Sequence, residues 1–195
     1  MNGSATVVRS GCMAKDADMI LSEFILLGIG GKELSEENAA QTAKALNIIQ
    51  PDFIRVHATG IKLESKLGEF VRDGSFTLQS EEGIVIEQKL FLQQLHEMDS
   101  YYVNEHIVNL LLEVRGNLRT EKQEMLSTID RFLTLPPDER LLFTVGRRLN
   151  IFFRLDDLKK PKLHQKAGES LQQILSKNPH VDFAALCNYV RQSQI

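Results

Sequence analysis

The chain has 195 residues, 43% of them hydrophobic, and a formal net charge of −3 at pH 7. This length suits one ordinary domain, or one domain with a small appendage, and the hydrophobic content excludes wholesale disorder. The slightly acidic balance offers no excess of positive charge for sequence-independent binding to nucleic acid, so nucleic acid is not an expected partner. Apolar runs such as Phe24–Leu27 are too short to span a membrane. We therefore expect a cytoplasmic protein with no membrane partner.

The first predicted unit is a strand, a glycine-rich turn and a helix. Residues 1–11 are small and polar and are predicted to form a loose end, with weak helical character over residues 12–21. The apolar run Ser22–Gly28 predicts a strand that is buried on both faces. After the turn, Ser35 is the predicted N-cap of a helix that ends at Pro51.

The same pattern then occurs a second time. Asp52–His57 predicts a second strand, and Tyr101–Val103 predicts a short third strand. Residues 58–74 are predicted to form a loop, and Ser80 is the predicted cap of the helix that follows. Because strands alternate with helices, we expect parallel strands joined by right-handed crossovers, which is an α/β fold.

From about residue 119 the pattern becomes entirely helical. Thr120–Gln123 matches a capping box, and Pro136 and Pro137 separate two helices. The last helices are predicted over residues 166–177 and 182–193. The chain is thus predicted to contain an α/β section, 12–118, and a helical section, 119–195.

A sheet of about three parallel strands cannot close on itself. An eight-stranded barrel takes about 250 residues, and a smaller parallel sheet leaves edges that helices or a partner must cover. The sequence therefore predicts either the later part of a larger fold or a reduced sheet with covered edges. Self-association is one way to provide that cover.

The glycine turn is the strongest local signal for a binding site. Gly28, Gly30 and Gly31 follow a strand and precede a helix, as in dinucleotide-binding turns. However, the third glycine of G-x-G-x-x-G would fall at Glu33, and acidic residues at a helix start repel phosphate. Two interpretations stay open: backbone amides that contact a less anionic ligand, or a tight turn without a ligand.

Polar side chains mark the ends of the second and third predicted strands. Arg55 and His57 share one strand face, which indicates either a lined cavity or an edge strand that faces water. His106 follows the third strand, where α/β enzymes place their chemistry, although a lone histidine is more often a structural hydrogen-bonding group. Arg147 and Arg148 are expected on a solvated helix face or in a contact with a partner.

Several ordered segments resemble one enzyme family. Ser22–Ser35 and Pro51–Arg55 resemble the later barrel half of radical S-adenosylmethionine (radical SAM) enzymes, in particular the bacterial group called radical SAM domain proteins or Fe–S oxidoreductases. Asn104–Asn109 and Leu135–Leu158 are similar to the C-terminal segment of that group. The resemblance covers roughly residues 14–158.

The resemblance implies a partial parallel (β/α) barrel with S-adenosylmethionine as cofactor. In this family a strand end with the pattern G-x-I-x-G-x-x-E lies near the adenosyl group, and Gly30 and Glu33 match its last two positions. Arg55 would point into the barrel mouth, and His57 stands where relatives tend to have arginine. The cofactor-binding residues that the resemblance and the strand ends suggest are Gly28, Gly30, Gly31, Glu33, Arg55, His57 and His106.

The [4Fe–4S] cluster that the family uses needs a CxxxCxxC motif, and Cys12 and Cys187 cannot supply it. The resemblance thus implies the C-terminal portion of a radical SAM enzyme, inactive alone and completed by an N-terminal half. A non-catalytic remnant that acts through protein–protein contacts is the main alternative. A small independent α/β enzyme or nucleotide binder is a third interpretation. The sequence does not indicate the substrate or the catalytic residues.

Overall fold

A computed structural model describes residues 3–194. Helices make up most of the chain, and the strands are short. In chain order the elements are α1 (Gly3–Asp16), β1 (Ser22–Leu27), α2 (Ser35–Ile49), β2 (Phe53–Ala58), α3 (Lys66–Arg72), α4 (Glu81–Gln94), β3 (Tyr101–Val103), β4 (Gly116–Asn117), α5 (Lys122–Leu133), α6 (Pro137–Arg148), a 3₁₀ helix (Leu155–Lys159), α7 (Pro161–Lys177) and α8 (Phe183–Gln192).

The four strands form one open, mixed sheet in the order β1-β2-β3-β4. β1, β2 and β3 run parallel, and β4 pairs antiparallel with β3. The α/β class and the three predicted strands are therefore confirmed. The sequence does not predict β4, because glycine and asparagine are depleted in strands.

One face of the sheet is covered by α2, which connects β1 to β2, and by α4, the second of the two helices between β2 and β3. Ile25 and Leu27 of β1 and Ile54 and Val56 of β2 point to this face and are buried. They belong to one hydrophobic cluster with residues of both helices. The prediction that β1 is buried on both faces is wrong, because its alternate side chains are exposed.

The N-terminal segment differs from the sequence prediction. Residues 1–11 were expected to form a loose end, but the described part of that segment belongs to α1. α1 approaches α2 closely: a Cβ added to Gly11 would lie 2.8 Å from Ile49 Cγ2. Lys15 Nζ also donates to both carboxylate oxygens of Asp52, at 2.7 and 2.8 Å. These long-range contacts stabilise a helix whose own hydrophobic periodicity is weak.

Three local predictions need correction. The predicted loop 58–74 contains α3, which Ser65 caps by accepting from the Gly68 amide at 3.1 Å. Ser35 is the first residue of α2 instead of its cap, because its hydroxyl donates to a distant carboxylate. The Thr120–Gln123 capping box does not form, since Glu121 occupies the N-cap without a side-chain bond to the helix. By contrast, Ser80 caps α4 as predicted, and Asp182 caps α8.

The C-terminal section is helical, as predicted, although α7 begins at Pro161, earlier than expected. Its core contains three phenylalanine rings: Phe143 stacks on Phe152 at 5.9 Å, centroid to centroid, and lies 5.9 Å from the tilted ring of Phe132. Arg147 and Arg148 were expected on a solvated face or in a partner contact, but both are buried. The hydrophobic cluster includes residues from both sections, and the boundary near residue 119 stays a prediction.

Candidate functional site

The second face of the sheet is the candidate site, because no helix covers it among the described residues. Phe24 and Leu26 of β1 are 63% and 47% exposed there. The register places Phe24 beside Arg55, and Arg55 beside Val103, in one row across the three parallel strands. Leu26 lies beside His57 in the next row. Parallel sheets are normally covered on both faces, so a half-exposed apolar face of this kind is unusual.

Two histidines meet near the carboxyl end of the parallel strands. The rings of His57 and His106 lie 4.2 Å apart, centroid to centroid, with 32° between their planes. Phe24 packs edge-on against His57 at 5.5 Å. With Arg55 and Val103, these side chains line an open cavity of about 250 Å³.

The cavity has a basic character. Burial, the neighbouring His106 and then Arg55 together lower the pKa of His57 below its ordinary value. One carboxylate, that of Glu105, lines the cavity, and it forms an ion pair with Arg115. The two imidazole rings can therefore each offer a ring nitrogen, as N–H donor or as acceptor, to a ligand in this cavity.

A buried asparagine holds the loop that carries His106. Asn109 Oδ1 accepts from the Ala58 amide at 2.7 Å, and its Nδ2 donates to the Val56 carbonyl at 2.7 Å. β3 pairs with β2 only up to Arg55 and Val103. Asn109 thus replaces the missing strand partner at the end of β2.

Arg147 fixes the same loop from α6. Its guanidinium donates to the carbonyls of Leu110 at 2.9 Å, Asn109 at 2.7 Å and Ile107 at 3.2 Å. Burial and the neighbouring Arg148 lower the pKa of Arg147 to about 10. The group remains charged near neutral pH, and its role is to position the His106 loop.

The glycine turn lies apart from this cavity. Gly28 and Gly31 have positive φ angles of 79° and 64°, which glycine adopts without strain. The Gly28 amide donates to the buried carboxylate of Glu87 at 3.0 Å, and the Gly31 amide donates to the Gly28 carbonyl at 3.2 Å. Those two amides are therefore engaged within the protein. None of Gly28, Gly30, Gly31 and Glu33 lines the His57 cavity, whereas Arg55, His57 and His106 come together there.

Glu87 organises the turn, and the sequence analysis did not identify it. Besides Gly28, its carboxylate accepts from Ser35 Oγ at 2.6 Å and from Asn38 Nδ2 at 2.7 Å. The signal for this role is weak in the sequence, because an acidic residue in a helix is usually solvated.

Glu33 contacts the segment before α4. Hydrogen bonding with the Thr77 side chain, its own amide and the Thr77 backbone lowers the pKa of this exposed carboxyl group. The Lys32 amide donates to the Thr77 carbonyl at 3.0 Å. This side of the turn is thus packed against residues 76–80.

The C-terminal helix α8 attaches to the loop after β2. Asn188 exchanges two hydrogen bonds with the backbone of Ile61, at 2.8 and 2.9 Å, and Arg191 Nε donates to the Thr59 carbonyl at 2.9 Å. Glu81 forms buried ion pairs with Arg191 and Arg148. Asn188 and Arg191 thus fix the loop at the carboxyl end of β2, and the sequence analysis did not identify either of them.

The cysteines do not fit an iron–sulfur cluster within this chain. Cys12 lies on α1, and Cys187 is buried on α8. Burial and the nearby Glu81 carboxylate raise the pKa of Cys187 to about 12, whereas cluster ligands are thiolates. Residues 3–194 contain no group of three or more histidine, cysteine or acidic side chains arranged to hold a metal ion.

Comparisons with family models, with curated proteins and with solved structures gave no match. Over the described part of the chain, no helix combines the length and the apolar character needed to cross a bilayer.

Proposed function

We propose that this chain forms the later part of a radical SAM-type (β/α) barrel and works with an N-terminal portion that carries the iron–sulfur cluster. The observation that carries the proposal is the one-sided sheet. Three parallel strands follow one another in chain order, the connecting helices α2 and α4 cover one face, and side chains of β1 are exposed on the other face. A barrel has this arrangement, because its helices form an outer ring, the other face of the sheet points into the barrel, and the ligand binds at the carboxyl ends of the strands.

The free edge of β1 supports the same proposal. β1 is the first strand of the sheet and pairs only with β2 among the described strands. In a barrel wound in chain order, the strands of a preceding portion would pair with this edge. Phe24 and Leu26 would then be covered by the side chains of the added strands. Because each of these side chains is already about half buried, covering the remainder is favourable by about 1–2 kcal/mol each.

The cofactor assignment remains part of the proposal. S-adenosylmethionine would contact the carboxyl ends of the strands, where Gly30, Glu33, Arg55, His57 and His106 are candidates from this chain. When bound to the cluster, the cofactor supplies a carbon-centred radical. This chain would orient the ligands, and the partner would provide the cluster thiolates.

Co-expression tests the proposal. The partner in this experiment is the protein encoded by the upstream reading frame, for which the proposal predicts a CxxxCxxC motif. This partner protein is expressed with an affinity tag. We expect the untagged chain to co-purify with it and, after anaerobic reconstitution with iron and sulfide, the complex to show cluster absorbance that this chain alone lacks. Phe24→Lys should abolish co-purification, since it places a charge on the open face.

Ile48→Lys is the matched control. Ile48 is also an exposed apolar residue, but it lies on α2, outside the open face. This variant should co-purify like the wild type. Cluster absorbance from this chain alone, or undiminished capture of the Phe24→Lys variant, would contradict the proposal.

The alternative function is a non-catalytic remnant that acts through protein contacts, for which the exposed apolar side chains Phe24 and Leu26 would serve. It predicts that the complex forms through the same face but does not cleave S-adenosylmethionine. Quantifying 5′-deoxyadenosine after reduction of the complex separates the two functions.

A further inference from the structure

We propose that two copies of this chain pair edge to edge along β1, antiparallel and about a two-fold axis at Phe24, into a dimer that does not grow further. The inference goes beyond the proposed function and does not depend on it, because every contact is made by residues of this chain. The preceding barrel portion would occupy the same edge, so the dimer is the state of the chain in the absence of that portion.

The hydrogen bonds of β1 show which of its main-chain groups face the free edge. The Leu27 C=O accepts from the Thr59 amide at 2.8 Å and therefore points toward the β2 side. Because neighbouring residues of a strand direct their N–H and C=O groups to opposite sides, every second residue points the other way. The residues that face the free edge are Ser22, Phe24 and Leu26. Within residues 3–194 one of these groups has a partner, since the Leu26 C=O accepts from Asn38 Nδ2 at 3.0 Å.

The opposite edge of the sheet, at β4, is closed. The Leu118 amide donates to the Ser100 C=O at 2.9 Å, so the neighbouring Asn117 directs its main-chain groups outward. The Asn117 N–H donates to Glu121 Oε2 at 2.7 Å, and its C=O accepts from the Glu121 amide at 2.8 Å. Of the two edges that the described strands form, β1 alone can therefore take another strand. A pair joined at β1 has no second open edge, so assembly stops at the dimer.

The outward groups of β1 match those of a second, antiparallel β1 in one register best. Outward residues must lie opposite outward residues to exchange main-chain hydrogen bonds across an antiparallel pair. An axis at Phe24 meets this condition for Ser22, Phe24 and Leu26 together, whereas an axis at Glu23 or Ile25 leaves one of them unpaired. The Phe24 N–H then donates to the Phe24 C=O of the second copy. The Leu26 N–H donates to the Ser22 C=O of the second copy, while the Leu26 C=O keeps its bond to Asn38.

The side chains of β1 are compatible with this register, which is why we assign the edge to a second copy. Phe24, which is 63% exposed, comes to lie opposite Phe24 of the second copy on the open face, and aromatic cross-strand pairs are stabilising. Glu23 is the charged residue of β1, and it lies opposite Ile25 of the second copy. No like charges are therefore directly opposed across the pair, so the edge is complementary to itself.

Sedimentation equilibrium of the isolated chain measures the self-association. We expect a monomer–dimer equilibrium with a dissociation constant between about 10 µM and 1 mM, because one strand pair buries less than the about 1,200 Å² at which stable interfaces begin. Species larger than the dimer should be absent. A chain that stays monomeric up to about 1 mM, or one that assembles beyond the dimer, would overturn the proposal.

Two substitutions at Leu26 separate the main-chain contribution from the side-chain contribution. Leu26→Pro removes the N–H that faces the free edge, a position at which an edge strand tolerates proline. It should weaken the dimer about tenfold or more, because two symmetry-related hydrogen bonds are lost. The matched control Leu26→Val keeps the N–H and should dimerise like the wild type. Circular dichroism checks that both variants are folded, and equal self-association of the two folded variants would contradict the edge pairing.

Nuclear magnetic resonance of the wild-type chain tests the orientation and register without any substitution. In a mixture of isotope-labelled and unlabelled chains, we expect an intermolecular nuclear Overhauser effect between Hα of Glu23 and Hα of Ile25 of the second copy. The two residues form a non-hydrogen-bonded antiparallel pair, whose Cα atoms approach to about 4.5 Å. A dimer without this contact would overturn the proposal. All of these measurements use this chain alone, so their failure is distinguishable from a failure of co-purification with the barrel portion.

Discussion

Single buried polar side chains replace missing backbone partners at three places in this protein. Glu87 accepts from the Gly28 amide, and Asn109 and Asn188 each bridge the N–H and C=O groups of a segment that no strand pairs. A buried backbone group without a partner costs about 1–3 kcal/mol. These residues therefore set the loop conformations around the carboxyl end of the sheet.

Glu87→Gln is predicted to destabilise the protein by about 2–3 kcal/mol. Glutamine keeps the shape but loses the charge-assisted bonds, and its amide nitrogen would face either the Ser35 hydroxyl or the Gly28 and Asn38 donors. The free energy of urea unfolding measures the change. Glu36→Gln, at an exposed position in the first turn of α2, should stay within about 0.5 kcal/mol of the wild type. A Glu87→Gln variant as stable as that control would contradict the assigned role.

For single residues, the sequence predicts more about the open sheet face than about the buried polar side chains. Arg55 and His57 were predicted to share a face because side chains alternate along a strand, and His106 was placed at a strand end. The burial of Arg147 and Arg148 could not be predicted in this way. Their acceptors, the loop carbonyls and Glu81, lie 37 or more positions away in sequence.

Among the elements, α4, α6 and α8 are joined by one buried ionic cluster. Glu81 begins α4, Arg148 ends α6, and Arg191 lies in the last turn of α8. Burial alone would raise the pKa of Glu81, but the guanidinium groups of Arg148 and Arg191 outweigh it and hold the pKa below its ordinary value. The cluster fixes the helical tail to the sheet section.

Glu81→Gln should cost about 3–5 kcal/mol at neutral pH, because it leaves two buried guanidinium groups without a counter-charge. The contribution of Glu81 is present above its ordinary pKa of 4.5 and is lost as the pH falls through its lower folded value. Chemical unfolding at a series of pH values should therefore show the difference between wild type and variant shrinking in acid. A difference that stays constant down to the acid transition would contradict this account.

Removing the attachment between α8 and the loop after β2 is predicted to loosen that loop locally. Asn188→Ala should accelerate amide exchange at Ile61, whose N–H and C=O both bond to Asn188. Hydrogen–deuterium exchange followed by mass spectrometry measures this effect. The control is Asn178→Ala, which removes an exposed asparagine at the end of α7. If Ile61 exchanges equally slowly in both variants, α8 does not hold the loop.

The sequence predicts most of the regular elements, because their hydrophobic periods and end signals are local. It misses α3, which depends on a single cap, and the part of α1 before residue 12, which depends on contacts with α2. It also misplaces the starts of α5 and α7. At α5, Glu121 accepts from the Asn117 amide instead of capping the helix, and α7 begins at Pro161, a residue suited to the first position of a helix.

For the whole molecule, the property on which the proposed function rests is the asymmetry between the two faces of the sheet. One face is packed under α2 and α4, and the other presents apolar side chains beside a basic cavity. The sequence indicates that about three parallel strands need cover. It could not indicate which face is open, because the two helices could lie on one side of the sheet or on both sides. The family resemblance and the barrel remain proposals that this asymmetry supports.

The most direct test of the central claim is amide exchange along β1 with and without the upstream barrel portion. If that portion continues the sheet, amides of Ser22–Leu27 that face the free edge should become strongly protected in the complex. Residues around Ile48, on the outer surface of α2, should exchange at the same rate in both samples. Unchanged exchange in β1, combined with new protection on the outer surfaces of α2 and α4, would contradict the claim that the open face completes a barrel.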